Sequence, residues 1–301
     1  MPAREGFRSV HEGVMHACGH DAHTAVGLAV AEVLAANKDK LSGKIKFIFQ
    51  PAEEGGRGSL PMTTRGVVDD VDHFIAIHVG VGVPSGVLCP AVTGHLASEK
   101  WDVSFEGKAA HAGGWPEQGA NAVLAASNAV VSLYGISRHR EGRTRINVGV
   151  INGGSGRNVI ADKASLIMEL RGETQDILDY LTRRGEAVIK GAALAQDVSA
   201  NIQVVGKTTT AGSDAGLARM IADACTTVDG LQLRLDPHIT GGSEDATFMM
   251  HRVQQRGGDA VYCAIGSDLP SGHHTPRFDI QEADLGPAIE ALAKSLLSLS
   301  Q

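Results

Sequence analysis

The chain has 301 residues, 43% of them apolar and 20% charged, with a net charge of −7. That length and balance suit one large or two ordinary globular domains. There is no basic run and no Lys/Arg stripe interleaved with aromatics, which excludes a nucleic-acid binder, and no apolar run approaches the length that spans a bilayer.

The four cysteines, Cys18, Cys89, Cys225 and Cys263, are scattered and form no CxxC pair. No disulfide framework is implied, and a reducing compartment is the simpler reading. The start, MPAREGFRSVHEG, lacks the apolar centre of a signal peptide. A cytoplasmic location is expected.

Residues 1–13 read as irregular. From Asp21 to Leu41, apolar residues at Val26, Val30, Val33 and Leu34 have helical spacing, and Gly43 ends the run. KIKFIFQ (44–50) predicts a buried strand running into PAEEGG, a short helix follows over Leu60–Val67, and HFIAIHV (73–79) predicts a second buried strand. Strand, helix, strand in that order favours a parallel sheet.

The pattern changes near Ser98. KWDVSFEGK (100–108) alternates like a strand with one wet face, 119–136 reads as helix, and TRINVGVIN (144–152) and ASLIMELRG (164–172) alternate again. Thr174–Ala195 predicts a helix and ANIQVVG (200–206) a last short strand. The order β-α-β-β-α-β is the ferredoxin-like arrangement. Beyond it, 213–228, 243–254 and 284–299 predict helices, and DAVYCAIG (259–266) a buried strand. The expected architecture is therefore α/β: a parallel-rich catalytic domain in two segments, 1–97 and 209–301, with a ferredoxin-like unit, 98–208, inserted between them.

Thirteen histidines are many for this length, and their placement matters. MHACGHDAH (15–23) precedes a predicted helix, PAEEGG (51–56) follows a predicted strand, His78 ends the next, and GHHTP (272–276) lies past the last. Carboxyl ends of parallel strands converge on one crevice, so four segments can meet there. Thiolate, imidazole and carboxylate together suit zinc, manganese or a related divalent ion. In the pair Glu53–Glu54, neighbouring side chains diverge, so one carboxylate can bind metal while the other acts as general base toward water. Taken singly, each motif has an ordinary reading. Asp21 could cap a helix, Cys18 could be packing, PAEE a surface turn, His78 a satisfied core histidine, and Pro276 a loop setter. His16, His73, His95, His139, His238 and His251 keep such readings.

At MHACGHDAH, FQPAEEGG, AIHVG and HHTPRFD the chain resembles the M20 metallopeptidase family, in its amidohydrolase branch. The likeness continues through AAHAGGWPEQGANA, RINVGVINGGSGRNVI and GSEDATFMM. It implies a phosphorylase/hydrolase-like catalytic domain with a ferredoxin-like lid and dimerisation domain. It implies that Cys18, His20, Glu54, His78 and His274 hold two divalent ions, Mn²⁺ or Zn²⁺, and that Glu53 is the catalytic acid/base. His111 then reaches a partner subunit's site and helps stabilise the oxyanion, while Asn158 and Arg171 hold the substrate carboxylate. The implied reaction is hydrolysis of an N-acyl or N-aroyl amino acid, p-aminobenzoyl-glutamate above all. Hippurate-like, auxin-conjugate-like or N-acetyl-diaminoacid substrates are the alternatives. A homodimer or a hetero-oligomer with a related B subunit is implied. The family also carries a segment before the position of Met1, so the chain is expected to be N-terminally truncated relative to it. An inactive dimerising fragment is the remaining alternative.

Overall fold

Two apolar patterns in the sequence become two separate sheets. The computed structural model of the protein describes residues 9–239 and 241–300. Of the N-terminal stretch expected to be irregular, residues 1–8 lie outside them, and 9–13 form bends and turns. In chain order the elements are α1 (His20–Ala36), α2 (Ser59–Thr64), β1 (His73–Val79), β2 (Val87–Cys89), β3 (Val92–Thr93), β4 (Ala97–Glu106), β5 (Ala110–His111), α3 (Ala122–Tyr134), β6 (Thr144–Gly153) and β7 (Val159–Ile160). They continue with β8 (Lys163–Gly172), α4 (Gln175–Leu194), β9 (Ser199–Thr208), α5 (Ala215–Ala224), β10 (Gln232–Leu233), β11 (His238–Ile239), α6 (Thr247–Gln255), β12 (Asp259–Ile265) and α7 (Leu285–Leu299).

The first sheet runs β1-β12-β2-β10. β1 and β12 are parallel from His73↔Asp259 to Val79↔Ile265, β12 and β2 antiparallel, β2 and β10 parallel. The sheet is thus mixed rather than parallel throughout. One face carries Val79, Val261, Cys263 and Ile265 against Val26, Val30 and Leu34 of α1, Ile221 of α5 and Leu292 of α7. The other carries Ala260, Tyr262 and Ala264 against Met250 of α6. β12, covered on both faces, is accordingly a near-continuous apolar run.

KIKFIFQ is a correction. Among the described residues, segment 44–50 forms no strand and pairs with none, and β1 has a sheet neighbour only in β12. Phe47 and Phe49 are 36% and 49% exposed, while Ile45 and Ile48 pack on two different apolar clusters. β-propensity supplies side chains for a pleated surface, but a strand also needs a neighbour's N–H and C=O groups. The expected strand–helix–strand unit therefore does not form, and the parallel partner of β1 comes from the far end of the chain.

The second sheet runs β6-β8-β4-β9 and is antiparallel, and its chain order is β-α-β-β-α-β. Trp101, Val103 and Phe105 of β4 and Leu166, Met168 and Leu170 of β8 all point to one face. There they meet Ala122, Ala125, Ala126, Ala129 and Leu133 of α3 and Leu178, Leu181 and Ile189 of α4. Alanines let α3 approach the sheet closely. Helix starts follow their caps: Asn121 Oδ1 accepts the Leu124 N–H, so α3 begins at Ala122 rather than Gly119.

Three other boundaries differ. α1 stops at Ala36, where the Asn37 N–H bonds Leu34 O and a tighter turn follows, well before Gly43. α5 spans only Ala215–Ala224 of the expected 213–228. α6 starts at Thr247 rather than Ser243, leaving Glu244 and Asp245 on irregular backbone. The turn bearing Glu53 lies against the second sheet. Lys207 N–H of β9 donates to Gly56 O at 3.0 Å. A Cβ on Gly206 would stand 2.0 Å from Gly55 O, so only glycine permits this approach.

Candidate metal centre

Four segments bring donor atoms together. Cys18 sits just before α1, and Gly19, at φ 91°, turns the chain so that His20 opens the helix. Glu53 and Glu54 occupy a tight turn entered through Ala52 at φ 58°. His78 lies near the carboxyl end of β1. His274 stands at φ 60° in the loop after β12, its N–H bonded to Ala17 O at 2.7 Å. Ala52 and His274 are left-handed without being glycine, a strain of order 1–3 kcal/mol each that surrounding structure must hold.

Potential ligand atoms of Cys18, His20 and His78 lie within 4.8 Å of one another, as do those of Cys18, Glu54 and His274. The same holds for His20, Glu53 and Glu54, and for Glu53, Glu244 and Asp245. Cys18 Sγ is 3.5 Å from His78 Nε2, His274 Nε2 is 3.2 Å from Glu54 Oε1, and His20 Nε2 is 3.6 Å from Glu53 Oε2. His78 Nδ1–H donates to Val79 O at 2.9 Å, which leaves its Nε2 as a lone pair facing Cys18. Between the neighbours His273 and His274 the bonding also differs. His273 Nε2–H is spent on Val79 O at 3.1 Å, while His274 faces Glu54.

The electrostatics are unbalanced. Burial and then the charges of Glu244, Glu54 and Asp245 push the Glu53 carboxyl up, against a smaller opposing pull from Lys100. Burial raises Glu244 as well, against the hydrogen bond from Tyr262 Oη at 2.7 Å. Burial, Glu54 and Glu53 push the Cys18 thiol well above its usual range. His20 Nε2 is buried with no hydrogen-bond partner.

These observations test whether a cation fits. Atoms about 2.0–2.3 Å from one ion stand up to roughly 4.5 Å apart, the spacing seen here. An orphaned imidazole nitrogen, a thiol and repelling carboxylates form a donor set that a divalent ion satisfies.

His111, Asn158 and Arg171 belong to none of these groups. His111, on β5, is exposed, and its Nδ1 accepts the N–H groups of Gly113 and Gly114 at 3.2 and 2.9 Å. Its Nε2 is therefore the donor. Asn158 lies beside it, its carbonyl accepting the Ala112 N–H at 3.0 Å. Arg171 is engaged elsewhere: Nε and Nη2 grip both oxygens of Glu169 at 3.1 and 2.9 Å.

Sequence reasoning missed His23, Glu244, Asp245 and Tyr262. His23 Nε2 accepts the Val79 N–H at 2.9 Å, with its ring 4.4 Å from that of His78. The one available signal was an acidic pair, Glu244–Asp245, after two glycines at the start of an apolar helix.

Burial holds His78 at about 3 and His95 at about 4, against 6.5 for a free side chain. Both values are depressed, so below pH 6.5 the unfolded chain binds protons that the fold refuses. Taken alone, each histidine lowers the stability of the metal-free protein as pH drops from 6.5 toward 4, while the raised carboxyls of Glu53 and Glu244 act in the opposite sense over the same range.

The description of peptidase family M20/M25/M40 matches residues 2–298. The chain is 46% identical to indole-3-acetyl-aspartic acid hydrolase of Enterobacter agglomerans, over 99% of this chain and 68% of that one. It is 44% identical to one of the subunits of p-aminobenzoyl-glutamate hydrolase from Escherichia coli, with the same shares covered. The solved aminobenzoyl-glutamate utilization protein of Klebsiella pneumoniae superimposes with a TM-score of 0.83 at 42% identity, covering 91% of this chain and 67% of that one.

Proposed function

The chain belongs to peptidase family M20/M25/M40, and we propose that it is a two-metal amidohydrolase cutting the amide between an aromatic acyl group and an acidic amino acid. p-Aminobenzoyl-glutamate is the favoured substrate. Convergence of Cys18, His20, Glu54, His78 and His274 around Glu53 carries this reading. In its support, two similar proteins are named for amides of aspartate and glutamate.

Cys18, His20 and His78 would hold one ion, and Cys18, Glu54 and His274 the other, with Zn²⁺ or Mn²⁺ matching this mixed donor set. When bound, such ions polarise the amide carbonyl and acidify water. Glu53 takes a proton from the water whose oxygen adds to the carbonyl carbon. It returns that proton to the nitrogen as the C–N bond breaks, leaving a carboxylate and a free amine. Its raised pKa suits a group that must both accept and donate a proton.

Segments 1–97 and 209–301 form the catalytic domain in this reading, and 98–208 a ferredoxin-like lid and dimerisation domain. With its Nδ1 taken by the N–H groups of Gly113 and Gly114, His111 has Nε2–H as its donor. We assign it to the oxyanion of the partner subunit's site, in a homodimer or with a related B subunit. Asn158 and Arg171 receive the substrate carboxylate, which displaces Glu169 from the Arg171 fork. Arg171→Ala then raises KM for p-aminobenzoyl-glutamate about 10–100-fold, with kcat less affected. An unchanged KM removes Arg171 from the binding site.

The decisive assay crosses two acyl groups, p-aminobenzoyl and indole-3-acetyl, with two amino acids, glutamate and aspartate. The Mn²⁺- or Zn²⁺-loaded protein should release the amino acid from at least one of the four. If none is cleaved, the reading is wrong.

A further inference from the structure

We infer that Asp245, together with Gln50, is the positioning pair that fixes the Pro51–Gly58 turn and so determines where Glu53 and Glu54 stand. This rests on the proposed roles of those two glutamates. The motif GSEDATFMM has no part in the chemistry above, yet its Asp245 is fully buried at 0% exposure. A buried carboxylate ordinarily needs a cation or several donors. Asp245 has donors, and all come from one turn. Oδ1 accepts from Gln50 Nε2, immediately before Pro51. Oδ2 accepts the N–H groups of Gly58 and Ser59, both at 3.0 Å, at the last residue of the turn and the first beyond it.

One carboxylate therefore ties both ends of the glutamate-bearing turn. The ends nearly touch: a Cβ on Gly58 would lie 1.7 Å from Pro51 O. Within the turn, Gly56 N–H bonds Glu53 O and Arg57 N–H bonds Ala52 O. The turn thus keeps its own shape without Asp245, and what Asp245 adds is its placement against the rest of the domain. That placement is itself anchored. The neighbouring Glu244 accepts from Tyr262 Oη of β12 at 2.7 Å and from Ala246 N–H at 3.2 Å. The linkage runs from β12 through Glu244–Asp245 to the turn, and Lys100 Nζ adds a separate bond to Glu54 O.

The test compares wild type, Gln50→Ala, Asp245→Ala and Asp245→Asn for kcat, KM, bound metal, thermal midpoint and visible spectrum after cobalt loading. Asp245→Ala is expected to lower kcat about 100-fold and alter the cobalt spectrum, and Gln50→Ala to lower kcat about 10-fold with its midpoint nearly unchanged. Asp245→Asn should recover most of the loss. Its oxygen still accepts from Gly58 and Ser59, and its amide can donate to a turned Gln50. Wild-type kcat per folded, metal-loaded molecule in both alanine variants overturns the inference, whatever their midpoints. If Asp245→Ala does not fold, Gln50→Ala decides by the same criterion. If wild type hydrolyses nothing, the proposed reaction fails separately. The cobalt spectrum of Gln50→Ala then decides alone: a change supports the anchoring and an unchanged spectrum refutes it.

Discussion

Glu53→Gln lowers kcat by about a hundred- to ten-thousand-fold while leaving bound metal in place. The amide has the size and shape of the carboxylate but cannot take a proton from water or pass it to the departing nitrogen. Glu53 is not needed to complete either of the two groups that share Cys18, so the ions stay. KM should move little, because the proposed carboxylate grip lies at Asn158 and Arg171. A second readout separates this from general damage. Burial and the charges of Glu244 and Glu54 raise the Glu53 carboxyl in the folded chain. A raised carboxylate destabilises the fold at pH values above its unfolded pKa. Removing that charge should therefore make metal-free Glu53→Gln more stable than metal-free wild type at pH 7, even as activity collapses. Full activity in a variant with two bound ions would remove Glu53 from the reaction.

Chelation abolishes hydrolysis, and Mn²⁺ or Zn²⁺ restores it. It also lowers the denaturation midpoint, because an ion bound only by the folded chain contributes about 2.7 kcal/mol at a free concentration a hundred times its Kd. In its absence the charges of Glu244, Glu54 and Asp245 bear on Glu53, with Lys100 set against them. Binding also expels a proton. The Cys18 thiol is raised by burial and by Glu54 and must lose its hydrogen to bind, whereas His78, held at about 3, is already neutral. Apparent affinity should therefore rise as pH rises through the neutral range, and calorimetry in two buffers of different ionisation enthalpy would count the protons. Turnover surviving exhaustive chelation contradicts the two-metal reading.

Much of this molecule is legible from local pattern. Val26, Val30 and Leu34 announce the buried face of α1, although Val33, read with them, is exposed, and the alternation in β4 and β8 announces which side of the second sheet is dry. Asn121 and Thr174 mark helix starts by their own side chains. Cys18, His20, Glu54, His78 and His274 could be nominated because their residue types suit one chemistry, and the fold places their side chains within reach of one another. Each of these signals is carried by residues adjacent in the chain, or by donor type alone.

Tertiary structure decided the rest. KIKFIFQ has the side chains of a strand, but its ladder partner would have to come from elsewhere in the molecule, and among the described residues none does. Arg171 looked free to grip a substrate, yet a glutamate two positions away on the same strand already fills its fork. His273 and His274 differ by what their rings meet across the loop, Val79 O or Glu54. Asp245 is separated from Gln50 by 195 positions. Side-chain periodicity is a property of contiguous residues, whereas a hydrogen bond between distant segments exists only once packing has brought both ends to the same place.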